Sequence, residues 1–220
     1  MMPQPIASTT SRVARFYPIV PNFSWLQRIV PLGIKTVQLR LKDAEPETRA
    51  REITASYSLC RAHGVQLIVN DYWRESLAAG CDFIHLGQED LAGADLAAIK
   101  SAGIKFGVST HDDGELEVAL SVTPDYIALG PIFETKLKAM VWAPQGIAKL
   151  TRWRERIDTV CIAKQQPFIP LVAIGGLTFD RASAALAAGA QSAAVITDFI
   201  THADPEARVA AWVAWSNTAG

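Results

Sequence analysis

Cationic and acidic side chains recur in this sequence at or just after short apolar runs. The run VQLRLK carries Gln38, Arg40 and Lys42 at alternate positions, which lie on one side of an extended chain. Two aspartates, Asp71 and Asp90, follow the apolar runs QLIVN and FIHL. Arginine and lysine can neutralise phosphate oxygens, and two carboxylates completed by water and phosphate suit Mg²⁺. These residues indicate phosphate-ester chemistry with a magnesium ion.

A second group of hydroxyl, cationic and glycine residues follows the later apolar runs. Lys138 joins Arg40 and Lys42 as a third cation, with Lys136 beside it, and Ser109 and Thr135 are hydroxyl donors. The pairs Gly175-Gly176 and Ile196-Thr197 lie where barrels commonly bind a phosphate with the loops after strands 7 and 8. Backbone N–H groups at a glycine turn or a helix start can bind a phosphate. A phosphate site separate from the Arg/Lys/Asp group predicts a second phosphorylated substrate.

Eight apolar runs alternate with helical patterns and predict eight strands. They are Arg15–Val20, Thr36–Leu41, Gln66–Val69, Phe83–Leu86, Lys105–Ser109, Tyr126–Gly130, Leu171–Ile174 and Ser192–Ile196. Almost wholly apolar runs are typical of parallel strands covered on both faces. The pattern predicts an α/β fold, a single (β/α)₈ TIM barrel over residues 14–217, after a disordered tail at 1–13. A doubly wound open sheet is the runner-up, weakened by the lack of a GxGxxG motif after the first strand.

Four stretches between these strands have clear helical composition. They are Pro46–His63, Asp112–Leu120, Phe179–Ala188 and Pro205–Trp215. Asp204 is expected to cap the last of them, with Pro205 at its first position. The stretch 152–168 is expected to be a surface elaboration before the seventh strand.

In a barrel, active sites lie at the carboxyl ends of the strands, where all the polar residues above would meet. Each also has a structural alternative. Asp71 could cap a helix, Asp90 could occupy a turn, and the lysines at 136 and 138 could be solvated. His85, within an apolar strand, is expected to be a hydrogen-bonded core histidine. His111 is open between a helix-start and a site role, and Met140 and Trp142 could be packing residues of a folded-over loop.

Composition excludes several classes of function. A net charge of −1 and a pI near 6.4 predict no binding to nucleic acid. The N-terminal segment lacks an apolar signal, and no run of eighteen apolar residues predicts a membrane span. The three cysteines are scattered, which is expected of buried residues in a reduced, cytoplasmic protein.

Several motifs together resemble the thiamine-phosphate synthase family. They are VQLRLK, VNDYWRESLAAGCDFIHLGQEDL, GVSTH, DYIALGPIFETKLK followed by APQG, and VAIGGL, in the family's order over residues 15–200. The resemblance implies a (β/α)₈ barrel. It would join a hydroxymethylpyrimidine diphosphate to a thiazole phosphate, using Mg²⁺ and releasing diphosphate. The implied mechanism is dissociative, with a pyrimidine cation captured by the thiazole nitrogen.

The resemblance also implies a role for each site residue. The pyrimidine diphosphate would be bound by Gln38, Leu39, Arg40, Leu41, Lys42, Asn70, Ser109 and Lys138. The metal would be bound by Asp71 and Asp90. The thiazole phosphate would be bound by Thr135, Lys136, Leu137, Gly176, Ile196 and Thr197. The catalytic group would comprise Arg40, Lys42, Ser109 and Lys138, and a loop at 133–143 would close over the substrates.

One residue departs from the family pattern. The family's loop reads Thr-x-Thr-Lys, whereas this chain reads Thr135-Lys136-Leu137-Lys138. Losing one hydrogen bond to a charged group costs at most about 1.5–3 kcal/mol, so binding should weaken without being abolished. The departure leaves two alternatives open, a thiazole tautomerase-like paralogue and a non-catalytic barrel that binds thiamine precursors. Small-molecule substrates are the expected partners, and a homo-oligomer is left open.

Overall fold

Eight parallel strands close into a barrel in the computed structural model of the protein, which describes residues 13–42, 44–135 and 142–218. The strands are β1 (Phe16–Val20), β2 (Thr36–Leu39), β3 (Gln66–Asn70), β4 (Phe83–Leu86), β5 (Lys105–Thr110), β6 (Tyr126–Leu129), β7 (Leu171–Ile174) and β8 (Ser192–Val195). Each pairs in parallel with its neighbours in chain order, and β8 pairs with β1. The predicted (β/α)₈ barrel is confirmed.

The helices of the described residues lie between the strands and after the last one. They are α1 (Phe23–Ile29), α2 (Pro46–Ala62), α3 (Trp73–Ala79), α4 (Gln88–Gly93), α5 (Leu96–Ser101), α6 (Asp113–Val122), α7 (Ile147–Ala163), α8 (Phe179–Ala187), α9 (Thr197–Ile200) and α10 (Pro205–Thr218). The predicted helix positions agree within about three residues. The Asp204 cap is present, because its Oδ1 accepts a hydrogen bond from the Ala207 N–H at 2.9 Å.

Alternate residues of the strands divide the core into two layers. Phe16 and Val20 of β1 pack outward, in the large cluster between the strands and the helices. Tyr17 and Ile19 belong to a smaller cluster with residues of other strands, such as Phe83 and Tyr126, inside the barrel. This two-sided burial explains why the strand sequences are nearly all apolar.

The prediction of a surface elaboration at 152–168 is wrong. Residues 147–163 form α7, one of the long helices of the barrel. Trp153, Ile157 and Cys161 recur at every fourth position and are buried. The many charged residues on the other face of this helix concealed the apolar stripe.

The three cysteines are free and buried, as expected from their scatter along the chain. Within the described ranges, no helix is both long and apolar enough to cross a membrane.

Candidate active site

The residues after β2 begin the charged mouth at the carboxyl end of the barrel. The Arg40 N–H donates to the Val20 carbonyl at 2.8 Å, so the backbone stays paired with β1 beyond the end of the strand. Arg40 is half-buried, and its positive charge acts on both Asp71 and His85. Lys42 is exposed two residues further on. The cation of Arg40 therefore lies near the Asp71 carboxylate, which follows the neighbouring strand β3.

The hydrophobic residues of this segment have a different placement. The Leu39 and Leu41 side chains are buried in the core. The Leu41 carbonyl accepts a hydrogen bond from the Tyr72 hydroxyl at 3.3 Å, which ties the segment after β2 to the segment after β3. Any contact of Leu39 or Leu41 with a ligand would therefore come from the backbone.

Two aspartates meet at the ends of β3 and β4. Asp71 follows β3 directly and has a left-handed backbone, with φ of 68°. The Asn70 amide donates to its carboxylate. Asp90 lies in the first turn of α4, and the two carboxyl groups share a hydrogen bond. α3 begins at Trp73 with no side-chain cap, so the helix-cap alternative for Asp71 is not supported.

The Asp71 carboxyl group is electrostatically perturbed. Burial, and then the charge and hydrogen bond of Asp90, raise its pKa to about 6. A hydrogen bond from the Gly87 backbone, and then the charge of Arg40, oppose this rise only partly. A shared proton is what two adjacent carboxylates require when no cation separates them. The pair is therefore a candidate site for a cation.

Ser109 faces the same mouth from β5. Its carbonyl accepts from the Gln88 amide at 2.6 Å, and its hydroxyl lies 2.7 Å from the His85 Nε2. His85 is 5 % exposed and also bonds the Tyr126 hydroxyl through Nδ1 at 2.6 Å. Burial, followed by the charge of Arg40, lowers the pKa of His85 to about 3. His85 is thus the hydrogen-bonded core histidine that the sequence predicts, and it is neutral.

The loops after β6 and β7 pack against each other at the opposite side of the mouth. The Ile132 and Phe133 N–H groups donate to the carbonyls of Ile174 and Gly175 at 2.9 and 3.1 Å. Gly176 has φ of 65°, and a Cβ on it would lie 2.5 Å from the Glu134 carbonyl oxygen. Glycine is required there by both the backbone conformation and the close approach.

The remaining residues of the predicted phosphate site come from two places. Ile196 follows β8, and Thr197 is the first residue of α9; both are half-buried. Thr135 is the last described residue after β6 and is also half-buried. Lys136, Leu137 and Lys138, and Met140 beyond them, lie outside the described residues, so the predictions made for them have no structural account.

The chain from Trp142 onward packs against other segments at the barrel mouth. Trp142 stacks on His111 with ring centroids 5.5 Å apart and planes 7° apart. His111 also bonds Glu115 through Nδ1 at 2.8 Å. The next residues bond the loop after β6, from Gln145 N–H to the Pro131 carbonyl at 2.7 Å. The packing interpretation of Trp142 agrees with this arrangement.

Sequence reasoning missed three polar residues beneath the mouth, Tyr17, Tyr126 and Gln88. Tyr17 and Tyr126 are buried inside the barrel, with hydroxyls 2.9 Å apart, and Gln38 donates to Tyr17 at 2.7 Å. A tyrosine in an apolar strand is most often a packing residue. The one signal of a polar role was that these tyrosines occupy strand positions that face the barrel interior, as Gln38 does.

The barrel and the charged residues at its carboxyl end define the class of protein as a (β/α)₈-barrel enzyme of phosphate chemistry. A family model described as thiamine monophosphate synthase matches residues 16–199. The chain belongs to that family. It is 53 % identical over 203 residues to the thiamine-phosphate synthase of Rhizobium etli, covering 92 % of this chain and 95 % of the relative.

Two further comparisons agree with this assignment. The thiamine-phosphate synthase of Salmonella enteritidis PT4 is 42 % identical over 209 residues, which cover 95 % of each chain. The thiamine phosphate pyrophosphorylase structure from Pyrococcus furiosus superposes with a TM-score of 0.77 at 23 % identity, covering 93 % of this chain and 96 % of that one. At that identity the structural match supports the fold. The relatives confirm the family indicated by the motifs and show that the chain is a transferase.

Proposed function

We propose that the chain condenses 4-amino-2-methyl-5-hydroxymethylpyrimidine diphosphate with 4-methyl-5-(2-hydroxyethyl)thiazole phosphate, or its carboxylated form. The products are thiamine phosphate and diphosphate. The observation that carries this proposal is the 53 % identity to a thiamine-phosphate synthase over nearly the whole chain. The Asp71–Asp90 pair beside Arg40 supplies the chemistry that such a reaction needs.

The diphosphate would bind at the ends of β2 to β5. Arg40, with its charge already directed at the mouth, would neutralise the leaving group, assisted by Lys42 and Lys138. Gln38, Asn70 and Ser109 would supply neutral hydrogen-bonding groups, and Leu39 and Leu41 would contribute backbone atoms only. Preorganised cations and donors stabilise charge that develops on a leaving diphosphate without reorganisation during the step.

The carboxylates of Asp71 and Asp90 fit a magnesium ion. A divalent cation would replace their shared proton and remove the repulsion that raises the pKa of Asp71. Within the described ranges no cluster of three or more His, Cys, Asp or Glu residues could hold a metal. Mg²⁺ usually takes one or two carboxylates and completes its shell with water and substrate phosphates, so a pair suffices. When bound, the ion supplies charge neutralisation for the leaving diphosphate.

The reaction is dissociative in this proposal. The bond between the pyrimidine methylene and the diphosphate oxygen breaks, and the ring amino group stabilises the resulting cation. The thiazole nitrogen then forms the new C–N bond. Such a step needs no general base, which is consistent with a neutral, fully hydrogen-bonded His85. The chain must instead keep water from the cation, and the closing role of 133–143 stays a prediction because 136–141 lie outside the described residues.

The thiazole phosphate would bind on the other side of the mouth. Gly176 and the backbone at Ile196 and Thr197 would provide N–H donors, and Thr135 a hydroxyl donor. Lys136 and Leu137 are proposed to line the same subsite. The fixed backbone of Gly176 against Glu134 supports a preformed cradle.

A diphosphate-release assay with each substrate omitted in turn tests the proposal. Purified protein with both substrates and Mg²⁺ should release diphosphate and form thiamine phosphate, whereas either omission should abolish product. Tight binding without turnover would instead indicate a binding barrel. Isomerisation of the carboxylated thiazole alone would indicate a tautomerase.

A pair of aspartate variants tests the metal assignment in the same assay. Asp71→Ala should lower activity at limiting Mg²⁺ by at least about tenfold, because one of two metal ligands is lost. Asp158→Ala is the matched control, since this α7 carboxylate pairs with Arg154 instead. Unchanged activity of Asp71→Ala at limiting Mg²⁺ would refute the metal site.

We also propose a cytoplasmic location, supported by the three free thiols. The small molecules named above are the proposed partners. The homo-oligomer left open by the sequence stays open.

A further inference from the structure

A continuous hydrogen-bonded network runs through the barrel interior from Gln38 to Ser109. Gln38 Nε2 lies 2.7 Å from the Tyr17 hydroxyl, which lies 2.9 Å from the Tyr126 hydroxyl. Tyr126 lies 2.6 Å from His85 Nδ1, and His85 Nε2 lies 2.7 Å from the Ser109 hydroxyl. We call these five side chains the interior network. Tyr17, Tyr126 and His85 are at most 5 % exposed, so water does not replace these bonds.

The number of protons available determines which group donates and which accepts in each hydrogen bond of the network. Gln38 donates an amide proton to Tyr17, so the Tyr17 hydroxyl must place its own proton elsewhere. Within the described part of the chain, its other hydrogen-bonding neighbour is Tyr126. If Tyr126 donated to Tyr17 instead, the Tyr17 proton would be buried without an acceptor, which is costly. Tyr17 therefore donates to Tyr126.

The same count extends to the mouth of the barrel. Tyr126 accepts from Tyr17 and donates to His85 Nδ1. A neutral imidazole that accepts at Nδ1 carries its proton on Nε2, so His85 donates to the Ser109 hydroxyl oxygen. The Ser109 proton is then left to point away from His85.

The Ser109 hydroxyl can donate that proton in a hydrogen bond to a ligand at the barrel mouth. The hydroxyl has His85 as its hydrogen-bonding neighbour among the described residues, and the Gln88 amide holds the Ser109 carbonyl. Because His85 donates to Ser109, the Ser109 proton is not used in that bond, and a diphosphate oxygen that carries no proton can only accept it. The mouth around it is where the proposed diphosphate binds.

We propose that Tyr17, Tyr126 and His85 are positioning residues that orient the Ser109 hydroxyl as an obligate donor to a diphosphate oxygen of the substrate. This inference rests on the proposed function, because it takes the diphosphate as the ligand of Ser109. It accounts for the neutral His85 that contacts Ser109, with the Tyr126 hydroxyl rather than a carboxylate on its other ring nitrogen. The network determines which side of the hydroxyl faces the ligand, and no proton is transferred.

The tautomer of His85 tests the direction without any turnover. In ¹⁵N-labelled protein, the ring nitrogens of a neutral Nε2–H histidine have distinct shifts, and His85→Gln identifies its signals among the four histidines. The proposal expects Nε2–H at neutral pH. An Nδ1–H tautomer or an imidazolium would overturn it.

A double-mutant cycle tests whether the network acts through Ser109. Calorimetry would measure binding of inorganic diphosphate with Mg²⁺ to the wild type, Tyr126→Phe, Ser109→Ala and the double variant. Removing a hydrogen bond to an anion corresponds to about tenfold or more in affinity, so Ser109→Ala should lose about that much. Tyr126→Phe should weaken binding about three- to tenfold when Ser109 is present, and less than about twofold in the Ser109→Ala chain.

Two further variants serve as a control and as a substitute in this experiment. Tyr57→Phe is the matched control, because its hydroxyl bonds Asp82, outside the network, and its affinity should be unchanged. Tyr17→Phe replaces Tyr126→Phe if the latter fails to fold. Equal losses with and without Ser109, or no loss in either, would overturn the inference. Because diphosphate binding and the tautomer are read without turnover, a failed synthase assay would remain a separate result.

Discussion

At the scale of single residues, Asp71 combines a left-handed backbone with a neighbouring carboxylate. Both are unfavourable for a free aspartate and tolerable for a metal ligand. Strained, electrostatically frustrated residues concentrate at functional sites for this reason. The stability of the metal-free protein should therefore improve when the charge is removed.

Asp71→Asn tests this trade-off between stability and metal binding. The pKa of Asp71 in the folded protein is raised to about 6. The protonated carboxyl group therefore adds to the free energy of unfolding below pH 4, and this contribution is lost as pH rises through 6. Above pH 6, in EDTA, the variant should be about 1 kcal/mol more stable than the wild type, a magnitude ordinary for a partly solvated charge pair. Urea unfolding at pH 4 and pH 8 measures it. An equal or lower stability at pH 8 would contradict the repulsion.

Gly176 and Gly80 offer a matched pair for the phosphate cradle. Both have positive φ, 65° and 68°, but an added Cβ meets nothing within 4 Å at Gly80 and lies 2.5 Å from the Glu134 oxygen at Gly176. Gly80→Ala should cost about 1 kcal/mol for the backbone alone, and Gly176→Ala about 3 kcal/mol. Only Gly176→Ala should raise KM for the thiazole phosphate, by about fivefold or more. Equal behaviour of the two variants in denaturation and kinetics would argue against the cradle.

At the scale of elements, the segments after β2 and β3 are held together by Tyr72. Its hydroxyl bonds the carbonyl of Leu41, the residue between the two cations, and its ring lies under the Arg49 guanidinium at 4.3 Å. Arg49 is in turn paired with Glu75 of α3. The spacing between the cations and the aspartates is thus set by contacts between loops and helices.

Tyr72→Phe should loosen this connection without unfolding the barrel. A neutral hydrogen bond contributes about 0.5–1.5 kcal/mol, so KM for the pyrimidine diphosphate should rise about two- to fivefold. KM for the thiazole phosphate should stay near its wild-type value, and the melting temperature should fall by only about 1–6 °C. Steady-state kinetics with each substrate varied gives both constants. Tyr57→Phe serves again as the control, and a rise in both KM values would mean a general loss of structure.

At the scale of the whole molecule, α10 covers the junction where β8 meets β1. Trp212 stacks on Phe16 at 5.1 Å and donates from Nε1 to Asp198 at 2.8 Å. Arg208 makes two hydrogen bonds to the same carboxylate, at 2.8 and 3.0 Å. Burial alone would raise the pKa of Asp198, but the bonds from Arg208 and Trp212 outweigh it and lower the pKa.

Asp198→Ala should destabilise the barrel, because Arg208 and the Trp212 N–H would lose their acceptor. We expect a loss of about 2–3 kcal/mol at pH 7, below the full cost of breaking a buried pair because Arg208 is partly exposed. The depressed pKa means that this contribution exists at neutral pH and is lost as pH falls through the folded value. The wild-type and variant stabilities should therefore converge in acid. Chemical denaturation from pH 7 to 3 measures both effects.

Glu117→Ala is the control for that experiment. Glu117 pairs with Arg156 at 2.7 Å, but both side chains are more than half exposed, so removal should cost less than about 1 kcal/mol. If the two variants lost equal stability, the junction between β8 and β1 would have no special role.

Much of this arrangement could be predicted because it depends on local patterns. All eight strands follow from apolar runs, and the positions of Asp71 and Asp90 at strand ends follow from barrel geometry. α7 was missed because its charged face dominates the composition between 152 and 163 while its buried stripe uses only every fourth residue. The substrate-binding roles of Lys136, Leu137 and Lys138 stay predictions.

The amino-acid sequence was enough to predict the fold, the strand ends at which polar residues meet and, through its motifs, the family. These properties are carried by residue type and spacing along the chain. The interior network could be found only from the three-dimensional arrangement, since its members come from five different strands: Gln38, Tyr17, Tyr126, His85 and Ser109. The donor and acceptor order in this network depends on contacts between side chains up to 109 residues apart in the sequence, which no local pattern encodes.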